Sequence, residues 1–281
     1  FAPVAEGKYF VEVDRTSGAL TGLVSSKDGV DAANPNAADN DDNGTTQTAT
    51  AVRSPQLMLM PGLLPTGESD QAQSGCCGQV NGGFGTPPMR DNPLVPDQDS
   101  TLNVDFGFIP VFSLGNRVWR DLDNSGTINA ADGLTPGIAG VKLSLTAPNG
   151  DPARNSQGNL VGTVITDASG YYRFDNLAAG NYVVVVEPMN FLPGMPLENN
   201  FTSTPAELDP NLDVDNNDNG FLPNANSTVI SGTVTLGSAS GTPGEPTTDN
   251  DPAVNPDTAN GEAPNNQSNR TVDFGFVPTL S

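Results

Sequence analysis

Three sequence blocks occur twice in this chain, and their repetition constrains the fold more than any other feature of the sequence. The blocks FAPVAEGKYFVEV, DNDDNG and LNVDFGFIP, at 1–13, 39–44 and 102–110, return as FDNLAAGNYVVVV, DNNDNG and RTVDFGFVP, at 174–186, 215–220 and 270–278. The order of the blocks is the same both times. A repeat of this kind indicates two copies of one structural unit.

The two copies differ in length. The second copy begins near Leu114 and carries a long segment before its first block, whereas the first copy begins at that block. We therefore predict two domains: 1–112 is the C-terminal part of a first unit without its opening strands, and 113–281 is a complete second unit. A section of a longer tandem protein is the favoured explanation, and a cleaved or strand-exchanged subunit is the alternative.

The residue pattern predicts β-strands throughout. In GVKLSLTA, the apolar residues Val141, Leu143 and Leu145 alternate with polar ones, which is typical of a strand with one buried face. Further strands are predicted in GTVITD, GYYRFDNL, NYVVVVEP, STVISGTVTLG and TVDFGF, each bounded by turn-forming residues. Many short strands between dense turns predict an all-β fold of two-sheet sandwiches, with long Pro- and Gly-rich loops near 60–100 and 188–228.

The inward positions of these strands define a predicted core. Its members are Trp119, Val141, Leu143, Leu145, Val164, Tyr172, Phe174, Leu177, Tyr182, Val184, Val186, Val234, Leu236, Phe274 and Phe276. Between two of the strands, Asp167, Ser169 and Gly170 predict a hairpin turn.

The charge balance excludes several classes of function. The chain has 11 Lys and Arg residues against 33 Asp and Glu, a net charge of -22. Such a surface repels nucleic acid and anionic membranes and favours cations as partners. The sequence has no histidine, which removes the usual general base, so we expect no enzymatic activity. No apolar run is long enough to span a bilayer.

One acidic stretch has the spacing of a calcium-binding loop. In DLDNSGTINAAD, Asp121, Asp123, Ser125, Thr127, Asn129 and Asp132 occupy positions one, three, five, seven, nine and twelve, with Gly126 at position six. This is the spacing of an EF-hand loop, in which alternate residues converge on one ion and glycine permits the sharp bend. Thr127 is expected to contribute its backbone carbonyl. The oxygen-only ligand set favours Ca2+, and an acidic turn between strands is the alternative.

Weaker predictions concern the remaining acidic clusters and the cysteines. A second cation site is predicted at the repeated block, from Asp213, Asp215, Asn217 and Asp218 in the second copy and from Asp39, Asp41 and Asp42 in the first. A solvated loop is the alternative. The neighbouring Cys76 and Cys77 predict a pair of thiols or a local disulfide, with an intermolecular disulfide as the second possibility.

Taken together, these blocks resemble a known family. LGNRVWRDLDNSGTINAADG, GIAGVKLSL, TDASGYYRFDNLAAGNYVVVV, DVDNNDNG and TVDFGF are similar to the B-type repeats of bacterial serine-aspartate repeat surface proteins, the SdrD B-like domain, which is related to the collagen-adhesin B-type fold. The resemblance implies immunoglobulin-like sandwiches in tandem, calcium-dependent rigidity and a location outside a bacterial cell. The Pro-rich inserts make these units longer than usual family members.

Two functions follow as expectations. The first is a calcium-stabilised structural module of an extracellular or cell-surface protein, which acts as a rigid tandem spacer or as a fibre-forming subunit. Its partners would be calcium ions and copies of itself or neighbouring domains, with no nucleic acid and no membrane insertion. The alternative is an adhesin module that binds a host or neighbour-cell ligand through its loops, with the apolar inserts near 57–67 and 190–197 as contact candidates.

Overall fold

The computed structural model describes residues 4–26, 42–44, 46–61, 104–212, 215–224, 228–237, 263–264 and 267–279. The chain divides into two compact units, Phe1–Ile109 and Pro110–Ser281. In the described ranges the regular structure consists of strands, with short 3-10 turns such as Ala130–Asp132 between them. The predicted all-β class is confirmed.

The first unit contains short strands that pair in three small sheets. The strands are β1 (Gly7–Tyr9), β2 (Glu12–Asp14), β3 (Leu23–Ser25), β4 (Thr46–Gln47), β5 (Ala51–Arg53), β6 (Leu57–Leu59) and β7 (Phe108–Pro110). Among the described residues of this unit, β1 pairs with β6, β2 and β4 flank β5, and β3 pairs with β7.

The second unit is a β-sandwich of two larger sheets. Its strands are β8 (Phe112–Arg120), β9 (Lys142–Thr146), β10 (Val164–Ile165), β11 (Tyr171–Leu177), β12 (Gly180–Val186), β13 (Asn200–Thr202), β14 (Val234–Leu236), β15 (Ser268–Asn269) and β16 (Phe274–Pro278). One sheet has the order β10-β9-β12-β14, and the other has the order β11-β8-β16-β13, with β15 paired to β8. Strand β8 lies parallel to β15 and β16 and antiparallel to β11.

A single apolar core joins the inner faces of the two sheets. Leu143 and Val184 from one sheet and Leu114, Phe174 and Phe274 from the other are buried in the same cluster. The predicted core is confirmed with two refinements. Val164 is only partly buried at its edge, and Trp119 is fully buried but lies outside the cluster. Neighbouring strand residues face opposite sides, so Trp119 faces away from the core that Val118 enters.

The structure repeats the same contacts in both units. Tyr9 and Tyr182 each donate a hydrogen bond of 2.8 Å to the carbonyl four residues earlier. The backbone N–H of Val11 and that of Val184 each donate to a serine hydroxyl, Ser54 at 3.1 Å and Ser231 at 3.0 Å. The repeat therefore extends into a further pair of segments, around 50–59 and 227–236, which the sequence comparison missed because few of their residues are identical.

Two local predictions needed correction in detail. The turn at Asp167 forms, since the carboxylate accepts hydrogen bonds from the Ser169 and Tyr171 N–H groups. However, the strands on either side of that turn, β10 and β11, belong to different sheets. Among the described residues of the predicted strand STVISGTVTLG, only Val234–Leu236 forms a regular strand, because Ser231 breaks the ladder with side-chain bonds.

Candidate metal centre

The predicted calcium loop follows directly on β8, the central strand of the five-stranded sheet. Its backbone turns sharply at two residues with left-handed conformations, Asn124 (φ 56°) and Gly126 (φ 74°). A Cβ atom on Gly126 would lie 2.1 Å from the Thr204 carbonyl oxygen, so glycine is required for both space and backbone conformation. The loop ends in a 3-10 turn, Ala130–Asp132, which Asn129 and Asp132 cap reciprocally.

Three carboxylates of the loop converge. One oxygen from each of Asp121, Asp123 and Asp132 lies within 4.8 Å of the others. Asp121 is fully buried and Asp132 is buried, whereas Asp123 is exposed. Both Asp121 oxygens accept backbone N–H bonds, from Ser125 at 3.2 Å and from Gly126 at 2.8 Å. The backbone of the loop therefore fixes the orientation of the Asp121 carboxylate.

Two further predicted ligands, Ser125 and Thr127, face the same region, whereas Asn129, also predicted as a ligand, presents its amide nitrogen rather than its oxygen to them. The amide nitrogen Nδ2 of Asn129 donates to the Asp123 carboxylate at 3.2 Å, to the Ser125 hydroxyl at 2.9 Å and to the Thr127 carbonyl at 3.2 Å. The orientation of this amide is set by its oxygen, which accepts the Ala131 N–H at 2.7 Å. The oxygens at positions three, five and seven thus point toward one place, as the sequence spacing predicts.

The electrostatics of the loop suit a positive ion. Among the described residues, no Lys or Arg forms an ion pair with the three carboxylates. The pKa of Asp123 lies below its usual value, chiefly through hydrogen bonding by the Ser125 side chain. Apart from the Asn129 amide nitrogen, the converging atoms are oxygens, from carboxylates, a hydroxyl and a carbonyl, and such ligand atoms favour a hard divalent cation such as Ca2+. The residues present therefore fit the ion that the spacing predicts.

The repeated acidic segment lies against this loop. The Asp218 N–H donates to the Gly126 carbonyl at 2.7 Å, and the Ile128 N–H donates to the Asn216 carbonyl at 2.9 Å. Thr127 and Asn217 form an antiparallel bridge between these bonds. Sequence reasoning treated the two acidic segments as separate, whereas the fold joins them through their backbones.

Asp218 connects the segment to strand β16 and to Ser203, the residue that follows β13. Its carboxylate accepts the Ser203 hydroxyl at 2.7 Å and the N–H groups of Gly220 and Gly275 at 2.8 and 3.1 Å. Burial raises the pKa of Asp218 to about 7, with a further contribution from the negative charge of Asp121. Ser203 and Gly275 had no role in the sequence analysis, although Gly275 belongs to the repeated DFG block.

Asp215 lies in a different polar cluster. Its carboxylate accepts a hydrogen bond of 2.5 Å from the Asn116 amide, which also lies 3.4 Å from Asp273. Asp273 is fully buried, and this burial raises its pKa well above the usual value. Asn217 accepts from the Asn219 amide at 3.2 Å. The structure therefore divides Asp215, Asn217 and Asp218 among different partners, and the second cation site stays a prediction.

In the first unit, Asp42 is the predicted ligand whose position is described. It is buried, and it accepts the Gly44 N–H at 2.9 Å and the Ser26 hydroxyl, as Asp218 does from Gly220 and Ser203. Asp39, Asp41 and Asp213 lie outside the described residues, as do Cys76 and Cys77.

The fold and the loop together define a class of protein. The second unit is a β-sandwich module with an acidic twelve-position loop anchored to its central sheet. Residues 112–219 match the model of the SdrD B-like domain. The resemblance inferred from the motifs is confirmed for this part of the chain. SdrD B-like domains belong to structural, non-enzymatic surface proteins.

Curated relatives match the same part of the chain. Serine-aspartate repeat-containing protein C of Staphylococcus aureus (strain MRSA252) is 39% identical over 95 residues, which cover 34% of this chain and 9% of that protein. Colossin-A of Dictyostelium discoideum is 38% identical over 95 residues, which cover 34% of this chain and 1% of that protein. The chain thus spans only a small part of the length of the relatives that it matches.

Two solved structures were found by comparison of the fold. The first is BcpA, the major pilin subunit of Bacillus cereus, with a TM-score of 0.27 and 11% identity, and the match covers 66% of this chain and 36% of that one. The second is the group B streptococcus pilus 2b backbone protein, with a TM-score of 0.30 and 10% identity, and the match covers 97% of this chain and 93% of that one.

The expected location agrees with the family. SdrD-like surface proteins are cell-wall-anchored or extracellular, which agrees with the extracellular or cell-surface location predicted from the sequence. In the described ranges, no helix combines the length and the apolar character that a membrane crossing requires.

Proposed function

We propose that this chain is a calcium-stabilised structural module that acts as a rigid spacer or as a fibre-forming subunit in a tandem array. The observation that carries the proposal is the convergence of Asp121, Asp123 and Asp132 within 4.8 Å at the end of the central strand β8. Two of these three carboxylates are buried. Like charges held this close repel one another, and a divalent cation between them would remove that repulsion.

The contacts of the loop supply a route from ion binding to rigidity. The ion would be held by Asp121, Asp123 and Asp132 together with the oxygens of Ser125 and Thr127. Asn129 would cap the 3-10 turn that ends the loop. Because Gly126 and Ile128 bond to the segment around Asp218, a fixed loop also fixes that segment. Asp218 in turn holds β16 through Gly275. Binding free energy is then expressed as stability of the five-stranded sheet.

The net charge supports the same proposal of stabilisation by a cation. At -22, the carboxylates of the chain repel one another, and this repulsion opposes a compact state. A divalent cation neutralises part of that charge at the point where buried carboxylates are closest. In a tandem array, rigid units transmit force and orientation, whereas units with loose loops do not.

Calcium binding is tested by melting and by luminescence. At an ion concentration about 100-fold above Kd, binding should stabilise the second unit by about 2.7 kcal/mol, or about 5–10 °C in Tm for a domain of this size. Terbium, a luminescent substitute for calcium, should be sensitised by Trp119, the single tryptophan of the chain, which lies two positions before Asp121. Equal Tm values in calcium and in chelator, together with absent terbium luminescence, would refute the proposal.

A pair of variants distinguishes binding at the loop from a general effect of net charge. Asp123→Asn removes one charge at an exposed ligand and should weaken binding by at least about tenfold, because affinity follows the number of charged ligands. Asp151→Asn, in an exposed turn outside the loop, removes the same charge and should leave binding unchanged. Equal effects of the two variants would assign the result to net charge rather than to the site.

Adhesion is the alternative function, and the apolar inserts are its candidate contacts. Leu57 and Leu197 in these inserts are buried within their own units. Met58, Met60 and Leu192 remain exposed at 45%, 42% and 57%. Electron microscopy separates the two functions: regular filaments of this chain support the structural role, whereas isolated arms that bind a ligand support adhesion.

A further inference from the structure

Three Asn-Gly pairs lie in the described part of the chain, and the structure places them in different surroundings. They are Asn43–Gly44, Asn149–Gly150 and Asn219–Gly220. Glycine has no Cβ atom, so the backbone nitrogen of the glycine can approach the side-chain amide of the preceding asparagine and react with it. The surroundings of each pair decide whether this reaction takes place in the folded protein.

The two pairs in the repeated acidic block are buried and bonded to distant segments. Asn43 is 0% exposed and Asn219 is 1% exposed. The Asn219 side-chain oxygen accepts the Asp273 N–H at 2.9 Å, and the Asn43 side-chain oxygen accepts the Asp105 N–H at 2.9 Å. In both pairs the glycine N–H donates to the aspartate that precedes the asparagine. The reacting groups of these pairs are therefore held by other partners and shielded from water.

The third pair lies in an exposed turn at the end of β9. The Gly150 N–H donates to the Ala147 carbonyl at 2.9 Å, and the Ala147 N–H donates to the Asp151 carbonyl at 2.8 Å. Gly150 has a left-handed φ of 90°, and a Cβ atom there would meet nothing within 4 Å. Asn149 and Gly150 are both exposed, so water reaches the pair.

The contacts of Asn149 prepare its side chain for attack by Gly150. Its Oδ1 accepts the Asp151 N–H at 3.1 Å, and its Nδ2 donates to the Asp151 carboxylate at 2.8 Å. A side chain bonded to the second residue along the chain lies across the peptide group between them, which brings the reacting groups together. The Asp151 N–H also points at the oxygen that becomes negative when a nucleophile adds to the amide carbon, and it stabilises that charge.

We propose that Asn149 is a site of spontaneous modification, at which asparagine is converted into aspartate and isoaspartate through a cyclic imide. The Gly150 backbone nitrogen loses its proton to a solvent base and forms a bond to Cγ of Asn149. The bond between Cγ and Nδ2 breaks, and Nδ2 takes up a proton and leaves as ammonia. Water then adds to either carbonyl of the ring and opens it. Addition at one carbonyl gives aspartate, and addition at the other gives isoaspartate.

The products change both the charge and the geometry of the turn. Each conversion replaces a neutral amide with a carboxylate beside Asp151, so a hydrogen bond of 2.8 Å becomes a contact between like charges. Isoaspartate also lengthens the main chain by one carbon atom within the turn that Ala147 closes. With time, a chain of net charge -22 becomes more negative and its β9 turn becomes looser. This inference goes beyond the proposed function, and no step of it requires a bound ion.

The test follows the three pairs in one sample. The full chain is incubated in mildly alkaline buffer, both folded and in denaturant, and peptide mass spectrometry measures the converted fraction at Asn43, Asn149 and Asn219 over time. In the folded protein, conversion should be at least about tenfold faster at Asn149 than at the buried pairs, which react only when the structure opens. In denaturant, the three rates should approach one another.

Two variants of the exposed turn test the mechanism. Asn149→Gln keeps the amide but places its carbon one bond further from the Gly150 nitrogen, so conversion there should fall by at least about tenfold. Asn149→Asp carries the charge of the product from the start, and hydrogen exchange of the Ala147 and Gly150 amides should be faster in this variant than in the unmodified protein.

Four outcomes would overturn the proposal. They are no conversion at Asn149 in the folded protein, equal rates at the three pairs while the protein stays folded, a lead of Asn149 that denaturant leaves unchanged, and equal conversion in the Asn149→Gln variant. The third outcome would assign the rate to the local sequence of each pair rather than to the fold.

Discussion

At the scale of single residues, this protein depends on carboxylates that are buried and hydrogen-bonded rather than exposed. Asp218 accepts three hydrogen bonds at full burial, and its counterpart Asp42 accepts two in the first unit. Short side chains with two acceptor oxygens join separated backbone segments without adding bulk. The recurrence of the DNG and DFG blocks is explained by this bonding, whether or not each site also holds an ion.

Asp218 predicts a pH dependence of the metal-free protein. Its pKa is about 7 in the folded chain against an ordinary value of 3.8, so folding favours the protonated form. The free energy of unfolding in chelator should therefore fall as pH rises from about 4 to about 7, by about 1.4 kcal/mol for each unit by which the pKa is displaced. Denaturant titrations across this range measure the slope.

The isosteric variant Asp218→Asn tests the assignment. The amide keeps an acceptor for the two glycine N–H groups and a donor for Ser203 but does not titrate, so the slope should become shallower. A residual slope from Asp273, whose pKa is also raised by burial, is expected. Parallel curves for the wild type and the variant would show that Asp218 is not the group responsible.

At the scale of elements, the strand β8 and the loop that follows it organise the second unit. The strand pairs with β11, β15 and β16, and the loop bonds to the segment around 216–218. One continuous stretch of sequence therefore holds both the centre of a sheet and the candidate metal centre. A change that rigidifies the loop should therefore also rigidify the sheet that contains β8.

Hydrogen exchange measures this coupling. Calcium should slow exchange at Ile128 and at Asp218, because their N–H groups form the two bonds between the loop and the acidic segment. The β9–β12 pair, with Val184 opposite Leu145, lies in the other sheet and serves as an internal control with little change. Protection confined to residues 121–132 would contradict the coupling.

At the scale of the whole molecule, charge is the dominant property. The chain carries 33 acidic residues against 11 basic ones, and the described ion pairs, Arg53–Glu12 and Arg173–Asp175, engage few of them. Such a molecule resists aggregation but is destabilised by its own charge. Cations in the surrounding solution should therefore set its stability.

Salt provides the corresponding prediction. Raising sodium chloride from about 0.01 M to about 0.1 M shortens the Debye length from about 30 Å to about 10 Å, so the Tm of the protein in chelator should rise. In saturating calcium the same change should have a smaller effect, because part of the charge is already neutralised. Differential scanning calorimetry measures both series, and an equal or larger salt effect in calcium would count against charge neutralisation as the mechanism.

The sequence by itself determined the class of fold, most of the core and the place of the candidate loop. Alternation at Val141, Leu143 and Leu145 was sufficient for a strand with one buried face, and each of these residues is buried. The spacing from Asp121 to Asp132 was sufficient to predict convergence of three carboxylates, because a tight loop brings alternate side chains together whatever surrounds it. Local periodicity and local geometry depend only on the residues of the short segment itself, so the sequence is enough to predict them.

Only the tertiary structure decided how distant segments combine. No local signal relates Thr127 to Asn217, or Ser203 to Asp218, yet backbone and side-chain bonds join both pairs. Nor did the pattern reveal that Trp119 lies on the face of β8 opposite the core, since that depends on which strands and loops cover each side of the sheet. Long-range pairing follows from the packing of the whole unit, and it is this packing that places the acidic loop against the segment around Asp218.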